Sequence, residues 1–169
     1  MQRLILMRHG EAERPRPGLE DFDRALDAEG RAEARRVGGA LAAAGHVPDL
    51  ALVSAARRTL ETWAAAAAAF PREVAVDQSR RLYCASAAVL SVAVGEAAVR
   101  ASVVMVVGHN PGIHQYAVHL VQQAGAPDGA RRLLSRFPTG SAAVFAIGED
   151  GRPDFEQLLF AKDLRGRPA

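Results

Sequence analysis

Two histidines stand at the ends of apolar runs. One follows Leu4-Ile5-Leu6-Met7 in Arg8-His9-Gly10, and the other follows Val103-Val104-Met105-Val106-Val107 in Gly108-His109-Asn110-Pro111-Gly112. An imidazole with its ordinary pKa of about 6.5 is largely neutral at pH 7 and can act as a nucleophile. Arginine stays charged, and its planar fork matches two oxygens of a phosphoryl group at once. Arg8 adjoins His9, and Arg57-Arg58 follows a third apolar run at residues 50–53. Gathered in one crevice with the free N–H groups of helix N-termini, these side chains would attract a phosphoryl group. Each segment alone is weak. A strand-end histidine is commonly a structural residue, and a Gly-His-Asn-Pro-Gly turn also serves as a plain strand-to-helix connection.

The elements needed to bring them together can be read along the chain. Residues 4–7, and 103–107 within a strand predicted over 102–107, are uninterrupted apolar runs, the pattern of strands buried on both faces. Residues 11–27 carry Pro15, Pro17, Gly18 and several charges, and read as an irregular excursion. Alanine, arginine and glutamate predict a helix over 28–44, with Gly45 as its stop. A strand at 50–53 leads into a helix over 56–69 that Pro71 closes. A short element near 81–83 precedes a helix over 86–100, and another helix is predicted over 113–123. Strands at 141–147 and 154–160, separated by Gly148-Glu149-Asp150-Gly151, read as an antiparallel hairpin. Alternating strands and helices predict an α/β fold, a three-layer α/β/α sandwich with a mostly parallel central sheet. Such sheets bind ligands beyond the carboxyl ends of their strands, where both histidines lie. Neither a linker nor a repeat is evident, so one domain over 1–169 is expected.

Composition narrows the classes. The chain has 169 residues, 49% hydrophobic and 24% charged, which excludes intrinsic disorder. Of its 21 basic residues all but Lys162 are arginine, against 19 acidic ones, for a net charge of +2. The arginines interleave with acids and form neither a long basic stripe nor an aromatic platform, so nucleic acid is not expected as a partner. Cys84, the single cysteine, is unable to form an internal disulfide or a thiolate metal cluster, and a buried, inert thiol is expected. The first apolar run is too short for a signal peptide, and the stretch 62–71 is too short to span a bilayer. The expectation is therefore a cytoplasmic protein without a membrane partner.

Three segments together carry a family resemblance. Leu6-Met7-Arg8-His9-Gly10-Glu11-Ala12 resembles the signature of the histidine phosphatase superfamily, which includes the phosphoglycerate mutase-like fold. Ser54-Ala55-Ala56-Arg57-Arg58-Thr59-Leu60-Glu61-Thr62 is similar to its second-arginine segment, and the spacing selects Arg58. Val106-Val107-Gly108-His109-Asn110-Pro111 resembles its second-histidine motif. Asp23-Arg24-Ala25-Leu26, Leu82-Tyr83-Cys84-Ala85-Ser86, Phe137-Pro138-Thr139-Gly140-Ser141-Ala142 and Lys162-Asp163-Leu164 point to the SixA-type phosphohistidine phosphatase branch. Ala25 and Ala55 stand where that branch commonly has proline, and Asp27 where it often has threonine.

What the resemblance implies is a metal-independent phosphatase that needs no cofactor. His9 would attack phosphorus and form a phosphohistidine intermediate that water hydrolyses. Its other ring nitrogen would need an acceptor, the carbonyl of Gly10 or a neighbour. Arg8, Arg58 and His109 would hold the phosphoryl oxygens, with Arg24 either joining them or pairing with Asp21 or Asp23 at the surface. Tyr83 either lines the pocket or belongs to the core, while Trp63 is expected against the sheet, and His46, His114 and His119 outside the chemistry. Family members that cleave phosphate monoesters often carry an acid between the two histidine motifs, and Arg80-Arg81-Leu82-Tyr83-Cys84-Ala85-Ser86 has none. Imidazole leaves more readily than an alkoxide, so the expected substrate is a phosphohistidine-bearing protein. A phosphatase of small phosphorylated molecules and a binding module that has lost turnover are the alternatives.

Overall fold

The computed structural model describes residues 1–166. The expectation of one domain over 1–169 thus includes residues 167–169, which lie outside the described residues. In chain order the elements are β1 (Arg3–Arg8), α1 (Ala28–Ala43), β2 (Leu50–Ser54), α2 (Arg57–Ala67), β3 (Ala75–Ser79), α3 (Ala87–Ala98), β4 (Val103–Gly108), α4 (Gly112–Gln123), α5 (Arg131–Ser135), β5 (Ser141–Ile147) and β6 (Pro153–Phe160). The strands form one sheet in the order β3-β2-β4-β1-β5-β6. The first four are parallel, whereas β5 pairs antiparallel with β1 and with β6. The sheet is therefore mixed, with the parallel part holding both histidine-bearing strands.

Period-two alternation divides the core. Leu4, Leu6, Leu50, Leu52, Val104 and Val106 face one apolar layer with residues of α3, α4 and α5. Ile5, Met7, Ala51, Val53, Met105 and Val107 face the other, with α1 and α2, and Trp63 packs there as expected. Successive strand residues point to opposite faces, so a strand covered on both sides must be apolar throughout. Among the described residues, no helix is long and apolar enough to cross a membrane.

Caps explain the helix boundaries. Asp27 accepts from the Gly30 N–H at 2.7 Å and starts α1 at Ala28; aspartate and threonine are both cap formers, which makes the departure at this position conservative. Gly45, at φ 75°, reverses the chain after α1. Ser86 caps α3. Two elements have no counterpart in the sequence reading. The strand β3, Ala-Val-Asp-Gln-Ser, lies at the sheet edge and is mostly solvent-exposed, so it needs no apolar run. The other, α5, is a five-residue helix too short to show a period.

The layer of α1 and α2 is packed backbone to backbone. A Cβ built on Gly38 would lie 2.3 Å from the Ala66 carbonyl oxygen, while one on the adjacent Gly39 would meet nothing within 4 Å. Alanine is the better helix former by about 1 kcal/mol, so only contact distinguishes the two sites. Gly39→Ala is expected to raise unfolding free energy by about 0.5–1 kcal/mol in denaturant titration. Gly38→Ala is expected to lower it by roughly 1–3 kcal/mol, as overpacking does.

Candidate active site

The β1–β4 register pairs Arg8 with Gly108, so the next residue of each chain is a histidine. The rings of His9 and His109 lie 5.2 Å apart between centroids. At the end of β2, Ser54 Oγ is 2.8 Å from His109 Nε2. Three parallel strand ends thus meet at one crevice.

The turn after β1 is held by backbone contact. A Cβ on Gly30 would lie 1.9 Å from the Glu11 oxygen, and one on Gly10 would lie 2.4 Å from the Gly30 oxygen. Thr62 on α2 accepts from the Gly10 N–H at 3.0 Å, and Glu33 on α1 accepts from the Glu11 N–H at 2.9 Å. The loop before β5 closes the other side. The Phe137 carbonyl accepts from Arg8 Nη1 at 3.0 Å and from Asn110 Nδ2 at 2.9 Å, and the Gly140 N–H donates to the His9 carbonyl at 3.0 Å.

His9 Nδ1 lies 2.7 Å from the Gly10 carbonyl oxygen. A carbonyl can only accept, so Nδ1 carries the hydrogen and the neutral ring keeps its lone pair on Nε2. Burial, reinforced by the positive charges of Arg58, Arg8 and Arg24, lowers the His9 pKa to about 4. Burial likewise brings His109 down to about 3, with His9 and Arg58 adding to the effect. Both rings are therefore neutral at pH 7. Arg58 is 3% exposed. Among the described residues, Arg8 Nε, Arg58 Nε and His109 Nδ1 are buried polar atoms with no hydrogen-bond partner. Such groups are rare because each costs on the order of 1–3 kcal/mol of lost hydration. Three of them on neighbouring side chains form a set of donors suited to an anion.

The excursion before α1 supplies a side chain that sequence reasoning passed over as a site residue. Asp21 Oδ2 accepts from Arg58 Nη2 at 3.0 Å and from the Tyr83 hydroxyl at 2.6 Å, and its carbonyl accepts from Arg58 Nη1. Asp21 Oδ1 accepts from Arg24 Nε at 2.9 Å. Of the two expected placements Arg24 takes the pairing with Asp21, through Nε and Nη2, while its Nη1 donates to the Glu13 carbonyl at 2.8 Å. The Tyr83 bond, followed by the charges of Arg58 and Arg24, holds the Asp21 carboxyl down at about 2.

Tyr83 stands edge-on to His109 at 5.4 Å, which places it at the pocket wall. Glu11 lies on the Arg8 side and accepts from the Thr139 hydroxyl at 3.0 Å. Glu96 pairs with Arg81. His46 lies near Arg3 and Glu156, His114 binds the Leu133 carbonyl, and His119 is exposed on α4. Cys84 is exposed, contrary to the expectation of burial, because its left-handed backbone at φ 48° turns it outward from the segment that seats Leu82 and Ala85. Among the described residues, no group of three or more His, Cys, Asp or Glu side chains is placed to hold a metal ion.

Of the supporting residues, Glu33 had a readable signal, since it interrupts the apolar stripe Gly30, Ala34, Val37 and Leu41 of α1. Asp21, inside an irregular loop, had none.

The neutral histidines have a consequence for stability. Their folded pKa values lie below the unfolded value near 6.5, so the unfolded chain binds more protons between about pH 4 and 6.5. Stability is then full above pH 6.5 and falls as pH drops through that window. From pH 7 to 5 each ring is expected to contribute a loss of about 2 kcal/mol. His109→Gln should reduce the pH-induced loss by about that amount in denaturant titrations at the two pH values. An unchanged loss would show that His109 protonates as readily in the folded chain as in the unfolded one.

Comparisons with known proteins agree with this geometry. The family model of the histidine phosphatase superfamily (branch 1) matches residues 4–82. An uncharacterized protein of Mycobacterium tuberculosis is 31% identical over 142 residues, covering 83% of this chain and 87% of its own. A crystal structure assigned to phosphohistidine phosphatase SixA of Agrobacterium tumefaciens is 30% identical and superposes with a TM-score of 0.82, covering 94% of this chain and 97% of that one. The tungstate complex of the protein histidine phosphatase SixA shares the fold at 20% identity, with a TM-score of 0.79 over 96% of this chain and 99% of that one. Strand-end histidines, a buried second arginine and the phosphoglycerate mutase-like sheet have one common explanation: the chain belongs to the histidine phosphatase superfamily, in its SixA-type branch.

Proposed function

We propose that this phosphatase removes the phosphoryl group from phosphohistidine on a protein, through a covalent phosphohistidine at His9 and without a metal ion. The observation that carries this reading is His9 itself, a buried neutral imidazole with Nε2 free beside Arg8 and Arg58. Nε2 attacks phosphorus as the bond to the leaving nitrogen breaks, and the bonding pair departs with that nitrogen. Water then attacks the phosphorus of phospho-His9, releasing phosphate and neutral His9.

Charge on the three equatorial oxygens is met by Arg8, Arg58 and His109. Ser54 donating to Nε2 of His109 leaves its Nδ1–H for a phosphoryl oxygen. Arg24 adds positive charge from the rim and binds the incoming phosphoryl group. Positioning and charge stabilisation are most of what phosphoryl transfer requires, and these side chains supply both.

The leaving group decides between substrates. An alkoxide needs a proton, and Asp21, whose carboxyl titrates at about 2, is ionised at neutral pH and has none to give. Phosphohistidine needs less help, because imidazole is the better leaving group. One observation favours the second reading, a phosphatase of small phosphate monoesters: Glu11 stands on the Arg8 side of the pocket, bound by Thr139.

The test is a phosphohistidine-bearing protein incubated with enzyme in EDTA. Wild type is expected to release phosphate, and His9→Ala to lose activity on the order of a thousandfold or more. Acid-labile label on wild type in a rapidly quenched reaction should be missing from His9→Ala. Equal hydrolysis by the two proteins would exclude His9 as nucleophile. Faster turnover of a sugar phosphate than of phosphohistidine would favour the monoester reading.

A further inference from the structure

The carboxylate of Asp21 and the hydroxyl of Tyr83 come from loops separated by 62 residues, yet they are joined by a 2.6 Å hydrogen bond over the pocket. Resting on the phosphohistidine reading above, we propose that this pair receives the departing imidazole: the Tyr83 oxygen accepts the N–H of its second ring nitrogen, and Asp21 places a negative charge behind that oxygen.

Location is the first support. His9 and Arg58 are buried, while the Asp21 side chain is 50% exposed, so the pair occupies the solvent side of the pocket. In-line displacement places the leaving group opposite the attacking nitrogen. A histidine carried by another protein can approach only from solvent, and that side is where Asp21 and Tyr83 stand. Tyr83 is also beside the phosphoryl-binding groups. Its ring is edge-on to His109 at 5.4 Å, and the Arg58 guanidinium carbon is 5.7 Å from its centroid.

The hydrogen bonding is the second support. Asp21 Oδ1 is taken by Arg24, and Oδ2 by Arg58 and Tyr83. The carboxylate is thus saturated, while the Tyr83 oxygen, having donated its hydrogen to Asp21 and with Arg58 as a further hydrogen-bond partner, retains a lone pair. Asp21 keeps that hydroxyl protonated by raising its pKa. Phe22 packs edge-on against Tyr83 at 5.1 Å between centroids, with the Arg80 guanidinium 4.2 Å from the Phe22 ring, which ties the excursion to the Tyr83 segment.

The chemistry follows from charge balance. Phosphohistidine protonated on its second ring nitrogen loses the phosphoryl group as neutral imidazole. Unprotonated, it would have to leave as imidazolate, a far poorer leaving group. As the His9–phosphorus bond forms, the P–N bonding pair moves onto the departing nitrogen, and the proton on the other nitrogen stays with the ring. An acceptor backed by a negative charge favours that protonated form. A phosphate ester has no such N–H and gains nothing from the pair, so selectivity for P–N over P–O is built in.

The experiment compares kcat/KM for phosphoimidazole and 4-nitrophenyl phosphate, whose leaving group needs no acid. Asp21→Asn and Tyr83→Phe are each expected to lower the ratio of the two constants about tenfold or more. The double variant should fall little further than the worse single one, since both act on one acceptor. Equal losses on both substrates, leaving the ratio unmoved, would show that the pair only holds Arg58 and would overturn this proposal while leaving the function standing. Wild-type enzyme that cleaves the ester but not phosphoimidazole would overturn the phosphohistidine reading and this proposal together.

Discussion

Everything at the candidate site depends on the parallel pairing of β1 with β4. Arg8 opposite Gly108 means that both chains leave the sheet at the same level, and the residue that follows is histidine in each. A slip of one residue would both misalign the histidines and turn the slipped strand's pair, Leu4 and Leu6 or Val104 and Val106, toward the other apolar layer. The register that brings the two rings together is therefore enforced by burial over the whole length of both strands. Sheet stability and site geometry are secured by the same buried strand pairing.

Burial at that junction also sets the electrostatics. Bringing two imidazoles and two guanidinium groups out of water makes the charged histidines unfavourable, because desolvation and neighbouring arginines act in the same direction. The arginines remain charged, and carboxylates are placed at different depths around them. Glu33 is buried in α1 beneath the Arg8 turn and its pKa is raised by burial, whereas Asp21 at the rim is held ionised by its donors. The inner part of the pocket thus offers neutral rings and positive forks, and the outer part a fixed negative charge.

Much of the fold was legible because it is written in short-range patterns. The two buried strands, the Gly45 stop of α1 and the Gly148–Gly151 hairpin turn are each visible within a few residues. Arg58 was singled out from Arg57 by the spacing of the family-like segment, whereas the meeting of Arg8, His9 and His109 was legible because they lie at strand ends. Asp21 was not, since its position depends on an irregular loop folding across to Arg58 and Tyr83, contacts that span 37 and 62 residues. Ser54 and Thr62 were visible as part of the second-arginine segment, but their bonds to His109 and to the Gly10 N–H, like the role of the Phe137 carbonyl, were hidden. A hydroxyl or a backbone oxygen has no pattern of its own, and its role appears only when the chain has brought a donor to it. Cys84 was misread for a related reason, because a turn's backbone angles decide which way its side chain faces.

The Phe137 carbonyl sets an order of events for a growing chain. Arg8, His9, Arg58 and His109 have all been synthesised once β4 and the residue after it emerge from the ribosome. The oxygen that aims Arg8 and Asn110 comes about thirty residues later, immediately before β5. An incomplete chain therefore carries every charged group of the pocket without the strut that orients two of its side chains. Only when β5 docks beside β1 do Arg8 and Asn110 gain the acceptor that orients them, so the geometry of the site is completed by the late-made half of the sheet.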